Sequence, residues 1–250
     1  MDYVNKIHCG NAIDILKTFA NESIDCVITS PPYNVGIKYD SWNDELTVEQ
    51  YYSFMTTIFT ELFRVLKKDG RMAINVPYEI NIKHRGGRLF IVSDYWQILK
   101  QIGFKWFGLA DLKETHSHRV KFTAWGSWLS ASSPYIYNPK ECIILVYKEL
   151  KKKLNKPVNI ISADDFKELV GGEWNYRAET KKITNANFSL DIPTKAIKIL
   201  TAENDIVLDP FSGAGTTAVA CKLLKRNYIG IEISPNYCVI AEERLQKMNI

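Results

Sequence analysis

The first residues in the chain whose types and order can do chemistry are two consecutive prolines after a short apolar run: Ile24-Asp25-Cys26-Val27-Ile28-Thr29, then Ser30-Pro31-Pro32-Tyr33-Asn34. Neither proline can donate a backbone N–H, and each holds its predecessor in extended geometry. A strand arriving here must therefore stop in a rigid, non-helical corner. The corner leaves the carbonyls of Ser30 and Pro31 free as acceptors and holds the Ser30 hydroxyl and the Tyr33 ring beside them. A flat ring next to fixed acceptors suits a planar ligand that carries an amino group, and an extruded nucleobase is such a ligand. An exocyclic amino lone pair is delocalised into its ring and is a poor nucleophile. Acceptors on its protons help to localise it, and the stabilisation grows as positive charge develops on nitrogen. Alone, these letters describe by default a Pro-Pro turn in a surface loop, so a second motif has to decide.

That motif is Asp209-Pro210-Phe211-Ser212-Gly213-Ala214-Gly215-Thr216-Thr217, which follows the apolar Ile206-Val207-Leu208 and opens a helical pattern. Gly213-x-Gly215-x-x-Ala218 at a strand-to-helix turn lets the backbone approach a ligand closely, and Glu232, 19 residues beyond Gly213, can hold both hydroxyls of a ribose. The layout predicts a cofactor that contains a nucleoside. A dinucleotide would bring a pyrophosphate to this helix start, where Asp209 and Phe211 are poor company for it. S-adenosylmethionine carries no phosphate, and a carboxylate favours its sulfonium and ammonium groups. An NAD-dependent dehydrogenase remains the rival from another class, but it leaves the Ser-Pro-Pro-Tyr corner without a role. A second rival is a DNA-binding module with a dead site, against which the intact Ser30, Tyr33, Gly213 and Gly215 argue.

Positioning both motifs requires strands that end at one edge. Short apolar runs predict strands at 6–9, 24–29, 71–76, 104–109, 142–147, 206–209 and 228–232, and helical periodicity predicts helices at 12–19, 48–67, 91–101, 194–200, 215–224 and 235–248. Thr47 with Gln50, and Ser234 with Pro235, are good helix starts. The alternation predicts an α/β fold, a mixed and mostly parallel seven-stranded sheet with helices on both faces. Residues 148–188 break the pattern, with Lys151, Lys152, Lys153, a Gly171-Gly172 pair and Trp174-Asn175-Tyr176-Arg177. They are expected to form an insertion carrying substrate contacts between two parts, 1–147 and 189–250, of one catalytic domain.

The 250 residues carry a net charge of only +4, but the segment 80–121 holds eight Lys and Arg against three acids. Within and just beyond it, Trp96, Trp106, Phe122 and Trp125 are interleaved with His84, His116 and His118, a mixture that suits a phosphate backbone and an unstacked base. A solvated face around an aromatic core is the plain alternative. Arg85, Arg88, Arg119 and Lys121 are the candidate DNA contacts. Cys9, Cys26, Cys142, Cys221 and Cys238 form no CxxC pair, and no apolar run of membrane-spanning length or signal peptide is evident, so a soluble, cytoplasmic protein is expected. His116-x-His118 lacks further ligands at metal spacing, so no metal is expected.

Taken together, the motifs resemble those of the amino-methyltransferases of restriction-modification systems. Ser30-Pro31-Pro32-Tyr33 resembles the catalytic [DNS]-P-P-[YFW] motif, and Asp209 to Thr217 resembles the cofactor loop. The catalytic motif comes first, as in the circularly permuted β-group with its recognition segment in between. The resemblance implies a Rossmann-like methyltransferase fold and S-adenosylmethionine bound by Asn11, Thr29, Asp209, Phe211, Ser212, Gly213, Gly215, Thr216, Thr217 and Glu232. It also implies target recognition by 148–188. The segment Thr123-Ala-Trp-Gly-Ser-Trp128 resembles one common in these enzymes, and Ile192-Pro-Thr-Lys195 resembles the methionine-side motif, although 188–193 matches only loosely. Position 11 is Asn where many relatives have Asp. Ser30 implies cytosine N4 as the methylated atom, with adenine N6 the alternative. Carbon-5 methylation needs a cysteine after a proline, and no cysteine here follows one. The implied partners are DNA and, in a restriction-modification setting, a cognate endonuclease, with the chain a monomer or homodimer.

Overall fold

Every residue of Ile24–Thr29 (β2) is buried, and so this strand lacks the polar alternation of an edge strand. In the computed structural model, which describes residues 3–37, 41, 44–82, 87–115, 138, 140–151, 161–177 and 188–248, it lies mid-sheet. The chain runs through β1 (Lys6–Cys9), α1 (Ala12–Leu16), β2, α2 (Val48–Val65), β3 (Leu66–Pro77), β4 (Ile80–Asn81), β5 (Arg88–Leu89) and α3 (Ile91–Ile102). It continues through β6 (Lys105–Glu114), β7 (Glu141–Tyr147), α4 (Ala163–Val170), β8 (Glu173–Tyr176), α5 (Asp191–Leu200), β9 (Ile206–Asp209), α6 (Thr216–Leu223), β10 (Asn227–Glu232) and α7 (Pro235–Gln246).

The main sheet has the order β1-β10-β9-β2-β3-β7-β6-β8, and β4 pairs with β5 in a separate ribbon. Within the main sheet β7 alone runs against its neighbours, β3 and β6; the other pairings are parallel. Alternation along β3 and β7 divides the core between two faces. Met72, Ile74, Val76, Cys142, Ile144 and Val146 pack with α1, α2 and α3, while Ala73, Ile143 and Leu145 pack with α4, α5 and α6. α7 closes against α6 and β1 through Ala218, Cys238, Ala241 and Leu245.

Helix starts behave as their sequences predict. Thr47 and Gln50 form a reciprocal capping box on α2, and the Ser234 side chain caps α7 with Pro235 in its first turn. The sheet has eight strands and not the expected seven, because β8 adds to the β6 edge in parallel, with Leu112 opposite Trp174. Its four residues, Glu173-Trp174-Asn175-Tyr176, alternate polar and aromatic but are too few to stand out in a polar stretch. What anchors it is a single ring: Trp174 is fully buried and its indole donates to the Leu169 carbonyl of α4 at 2.8 Å. The described part of 148–188 is thus joined to the main sheet.

Candidate functional site

Parallel strands bring their carboxyl ends to one edge, and both motifs stand there. β2 and β9 are neighbours, with Cys26 opposite Val207 and Val27 opposite Leu208, so Thr29 and Asp209 emerge side by side. The Thr29 hydroxyl donates to Asp209 Oδ1 at 2.8 Å, tying the corner to the glycine loop across 180 residues of chain. Asp209 is buried and also accepts from the Phe211 N–H at 3.1 Å and the Thr217 hydroxyl at 2.7 Å. Burial pushes its carboxyl up to about 6, against the pull of those donors. Asp209 acts on the loop from beneath by fixing its two ends.

The two glycines of the loop differ in their surroundings. Gly213 and Gly215 both have positive φ, +51° and +74°. A Cβ on Gly213 would meet nothing within 4 Å, whereas one on Gly215 would come 2.8 Å from Ala241 Cβ of α7. The first glycine has open space at its Cβ position; the second is bare because α7 presses on it. Glu232, at the end of β10, accepts from Gly213 N–H and Ser234 N–H, each at 2.8 Å, and burial raises its carboxyl. Gly10 N–H donates to the Glu232 carbonyl, which brings the Gly10-Asn11 turn alongside, where Asn11 Oδ1 caps α1. Phe211 is half-buried, its ring 6.1 Å from that of Phe54. Thr216 takes a hydrogen bond from Arg244 of α7 at 3.2 Å. The Ser212 hydroxyl is buried without a partner among the described residues.

The corner itself is a hydrogen-bonded knot. The Tyr33 hydroxyl lies 2.9 Å from Ser30 Oγ, donates to the Asn75 carbonyl at 3.2 Å, and accepts from Asn75 Nδ2 at 2.8 Å. A carbonyl cannot donate, so the tyrosine proton is committed to it and Ser30 supplies the proton between the two hydroxyls. Of the lone pairs on Ser30 Oγ, one faces Asn75 Nδ2 at 3.4 Å and the other is left to accept. Burial, then the charge of Glu141, holds Tyr33 in its protonated form far above the usual phenol range. The Tyr51 hydroxyl occupies the Pro32 carbonyl at 3.1 Å, and no hydrogen bond reaches that of Pro31 among the described residues. Beyond Tyr33, the Asp44 carboxylate accepts from four successive N–H groups, those of Asn34, Val35, Gly36 and Ile37, at 2.9 to 3.1 Å.

Asn75, Asp44, Tyr51 and Glu141 join the site without any motif to announce them. Asn75 has a signal, a lone amide within the apolar Met72-Ala-Ile-Asn-Val76, and so has Glu141, an acid opening the apolar 142–146; both gain meaning only once β3 and β7 lie beside β2. Lys195 pairs with Glu168 of α4 at 2.6 Å, with Thr194 beside it on α5. Arg88 sits on the small ribbon and pairs with Glu79 at 3.4 Å. Arg85, Arg119, Lys121, the three histidines of that region and Thr123 to Trp128 lie outside the described residues.

The match that decides the family covers most of the chain: residues 24–243 fit the N6/N4 methyltransferase family model, described as DNA methylase. The chain belongs to the DNA methylase family. This methylase is 40% identical over 162 residues to the type II methyltransferase M.MjaVI of Methanocaldococcus jannaschii, covering 65% of the chain and 81% of that relative. Against M.HpaI of Haemophilus parainfluenzae the identity is 28% over 257 residues, covering 96% and 74%. Its fold is shared with TTHA0409 of Thermus thermophilus, described as a DNA modification methylase and solved with S-adenosyl-L-methionine, at a TM-score of 0.74, 24% identity and coverage of 98% and 94%. It is shared equally with the cytosine-N4-specific PvuII DNA methyltransferase, at a TM-score of 0.74, 18% identity and coverage of 98% and 87%. The methylase therefore has a Rossmann-like methyltransferase fold, and its catalytic motif precedes its cofactor loop as in the β-group. No helix among the described residues is long and apolar enough to cross a membrane.

Proposed function

We propose that this amino-methyltransferase modifies the N4 atom of a cytosine turned out of DNA at a specific site. The observation that carries the reading is the proton order at the corner: with the Ser30 proton given to Tyr33, a neutral hydroxyl oxygen and the Pro31 carbonyl remain to accept from an amino group. A hydroxyl at position 30, where adenine enzymes of the family more often carry Asp, favours cytosine. S-adenosylmethionine is the cofactor, and the residues fit it: Gly213 offers room at its Cβ position, and the Glu232 carboxylate stands at the loop's other side, bonded to the Gly213 N–H. When bound it supplies an electrophilic methyl group. Asp209 and Thr29 hold that loop against the corner, Ser30 and Pro31 orient the amino protons, and the Tyr33 ring backs the base. Residues 148–188, tethered through β8, are assigned to target recognition, and Arg85, Arg88, Arg119 and Lys121 to phosphate contacts.

The test is to express the protein in a host lacking DNA methylation and to sequence that DNA by a method reporting both modified base and context. N4-methylcytosine in one recurring context is expected; N6-methyladenine would replace the base assignment and leave the chemistry standing. Tyr33→Ala is expected to lower turnover sharply, about 100-fold or more, since it removes both the platform and the acceptor of the Ser30 proton. Turnover at the wild-type rate would remove Tyr33 from the site.

A further inference from the structure

Glu141 opens β7 opposite Pro77 of β3, on the same edge of the sheet as the corner. Its carboxylate accepts from Asn75 Nδ2 at 2.7 Å and forms no ion pair among the described residues. Asn75 is itself 3% exposed, and its Oδ1 is buried with no hydrogen-bond partner among the described residues. Its nitrogen faces Glu141, Tyr33 Oη at 2.8 Å and Ser30 Oγ at 3.4 Å. Turning the amide over would set Oδ1 against the Glu141 oxygen and, with both hydroxyl protons already placed, against the Tyr33 and Ser30 oxygens as well. An ionised Glu141 forbids the turn. A half-buried acid that meets no cation among the described residues, and a buried amide oxygen left unpaired among them, do little for stability, and such arrangements gather where chemistry is done.

We propose that Glu141 is a positioning residue for the methyl transfer: through Asn75 it fixes the amide nitrogen on the Ser30–Tyr33 pair and places a negative charge behind the acceptor corner. This rests on the reading of that corner as the amino-group site. As the amino lone pair forms the new nitrogen–carbon bond, the carbon–sulfur electron pair stays on sulfur and the positive charge passes to nitrogen; the surplus amino proton then leaves for water. The charge thus moves toward Glu141, which stabilises the transition state more than the ground state. Among the described residues, the titratable groups facing Glu141 are Tyr33 of the corner, Glu114 at the end of β6, Tyr176 at the end of β8 and its neighbour Cys142. Burial raises the Glu141 carboxyl, Glu114 adds to the rise and Asn75 opposes it, so its charge is lost as pH falls through a range above that of an ordinary glutamate.

Methyl incorporation from tritiated cofactor into unmethylated genomic DNA would be measured for the wild type, E141Q and E141Q/N75D. E141Q keeps an acceptor for Asn75 but loses the charge. It should reduce kcat about 10- to 100-fold with little change in KM and in melting temperature, and remove the acid limb of the kcat–pH profile. In E141Q/N75D a carboxylate stands directly beside the two hydroxyls and should recover most of the loss, which a purely structural role would not do. Infrared spectra of the ligand-free protein should show a carboxylic-acid band, at mildly acidic pH, that E141Q lacks. Wild-type kcat in E141Q, or a loss that N75D leaves unrepaired, would overturn the inference. An inert wild-type enzyme would overturn the methyltransferase reading and this inference with it.

Discussion

Gly213 and Gly215 occupy one loop and one backbone region, yet the space around their Cα atoms assigns them different duties. Gly213→Val adds its bulk on the open side of the loop. It should abolish cofactor binding by isothermal calorimetry while costing only about 1–2 kcal/mol of stability for the left-handed backbone. Gly215→Val drives into Ala241. It should lower the melting temperature through overpacking worth about 1–3 kcal/mol, added to the same backbone strain. If Gly213→Val were the less stable of the two, this division would fail. Asp209 gives a pH signature of its own. With its carboxyl held near 6 in the fold, the folded chain keeps a proton that the unfolded chain has released from about pH 4 upward, so stability declines as pH rises through that window. The contribution of Asp209 to that decline should be about 2 kcal/mol between pH 4 and pH 6 in denaturant titrations of the cofactor-free protein, and Asp209→Asn should remove it.

At the scale of elements, the sequence is most legible where one strand or helix is buried on its own account. β2 and β9 begin and end where apolar runs do, and α2 starts at a capping box readable from Thr47 and Gln50. β6 runs past its apolar core because pairing with β8 carries it to Glu114, and β3 starts early because Leu66 pairs with Ile24 of β2 ahead of the polar 67–70. β8 and α4 escape such a reading, since each gains its burial from the other: Trp174 fills the space beside Leu169 and donates to its carbonyl. Trp174→Ala is accordingly expected to cost about 3–5 kcal/mol in urea unfolding and to release the β8 edge to hydrogen exchange, while β2 stays protected. Uniform loss of protection across the sheet would show that β8 is no separate unit. The same reasoning separates the site residues that a motif reveals from those that it does not. Ser30, Tyr33 and Gly213 carry local signatures, but Asn75 and Glu141 matter only because β3 and β7 lie next to the corner.

For the whole molecule, a small net charge conceals a basic, aromatic segment, and only part of it lies among the described residues. Arg88 projects from the β4–β5 ribbon with its guanidinium shared with Glu79. If this ribbon lies against DNA, Arg88→Ala should weaken binding alike on cognate and unrelated sequences and reduce the slope of log affinity against log salt by about 1. An unchanged slope would place the ribbon away from the duplex.

The hydrogen bond from Thr29 to Asp209 joins two residues made far apart in time during synthesis. The acceptor corner leaves the ribosome early, whereas the loop it must face, and the last helix on which Gly215 rests, emerge only some 180 residues later. A nascent or truncated chain can therefore own a complete base-handling corner and still have nothing to transfer. Such a chain is expected to transfer no methyl group until α7 has closed against Gly215.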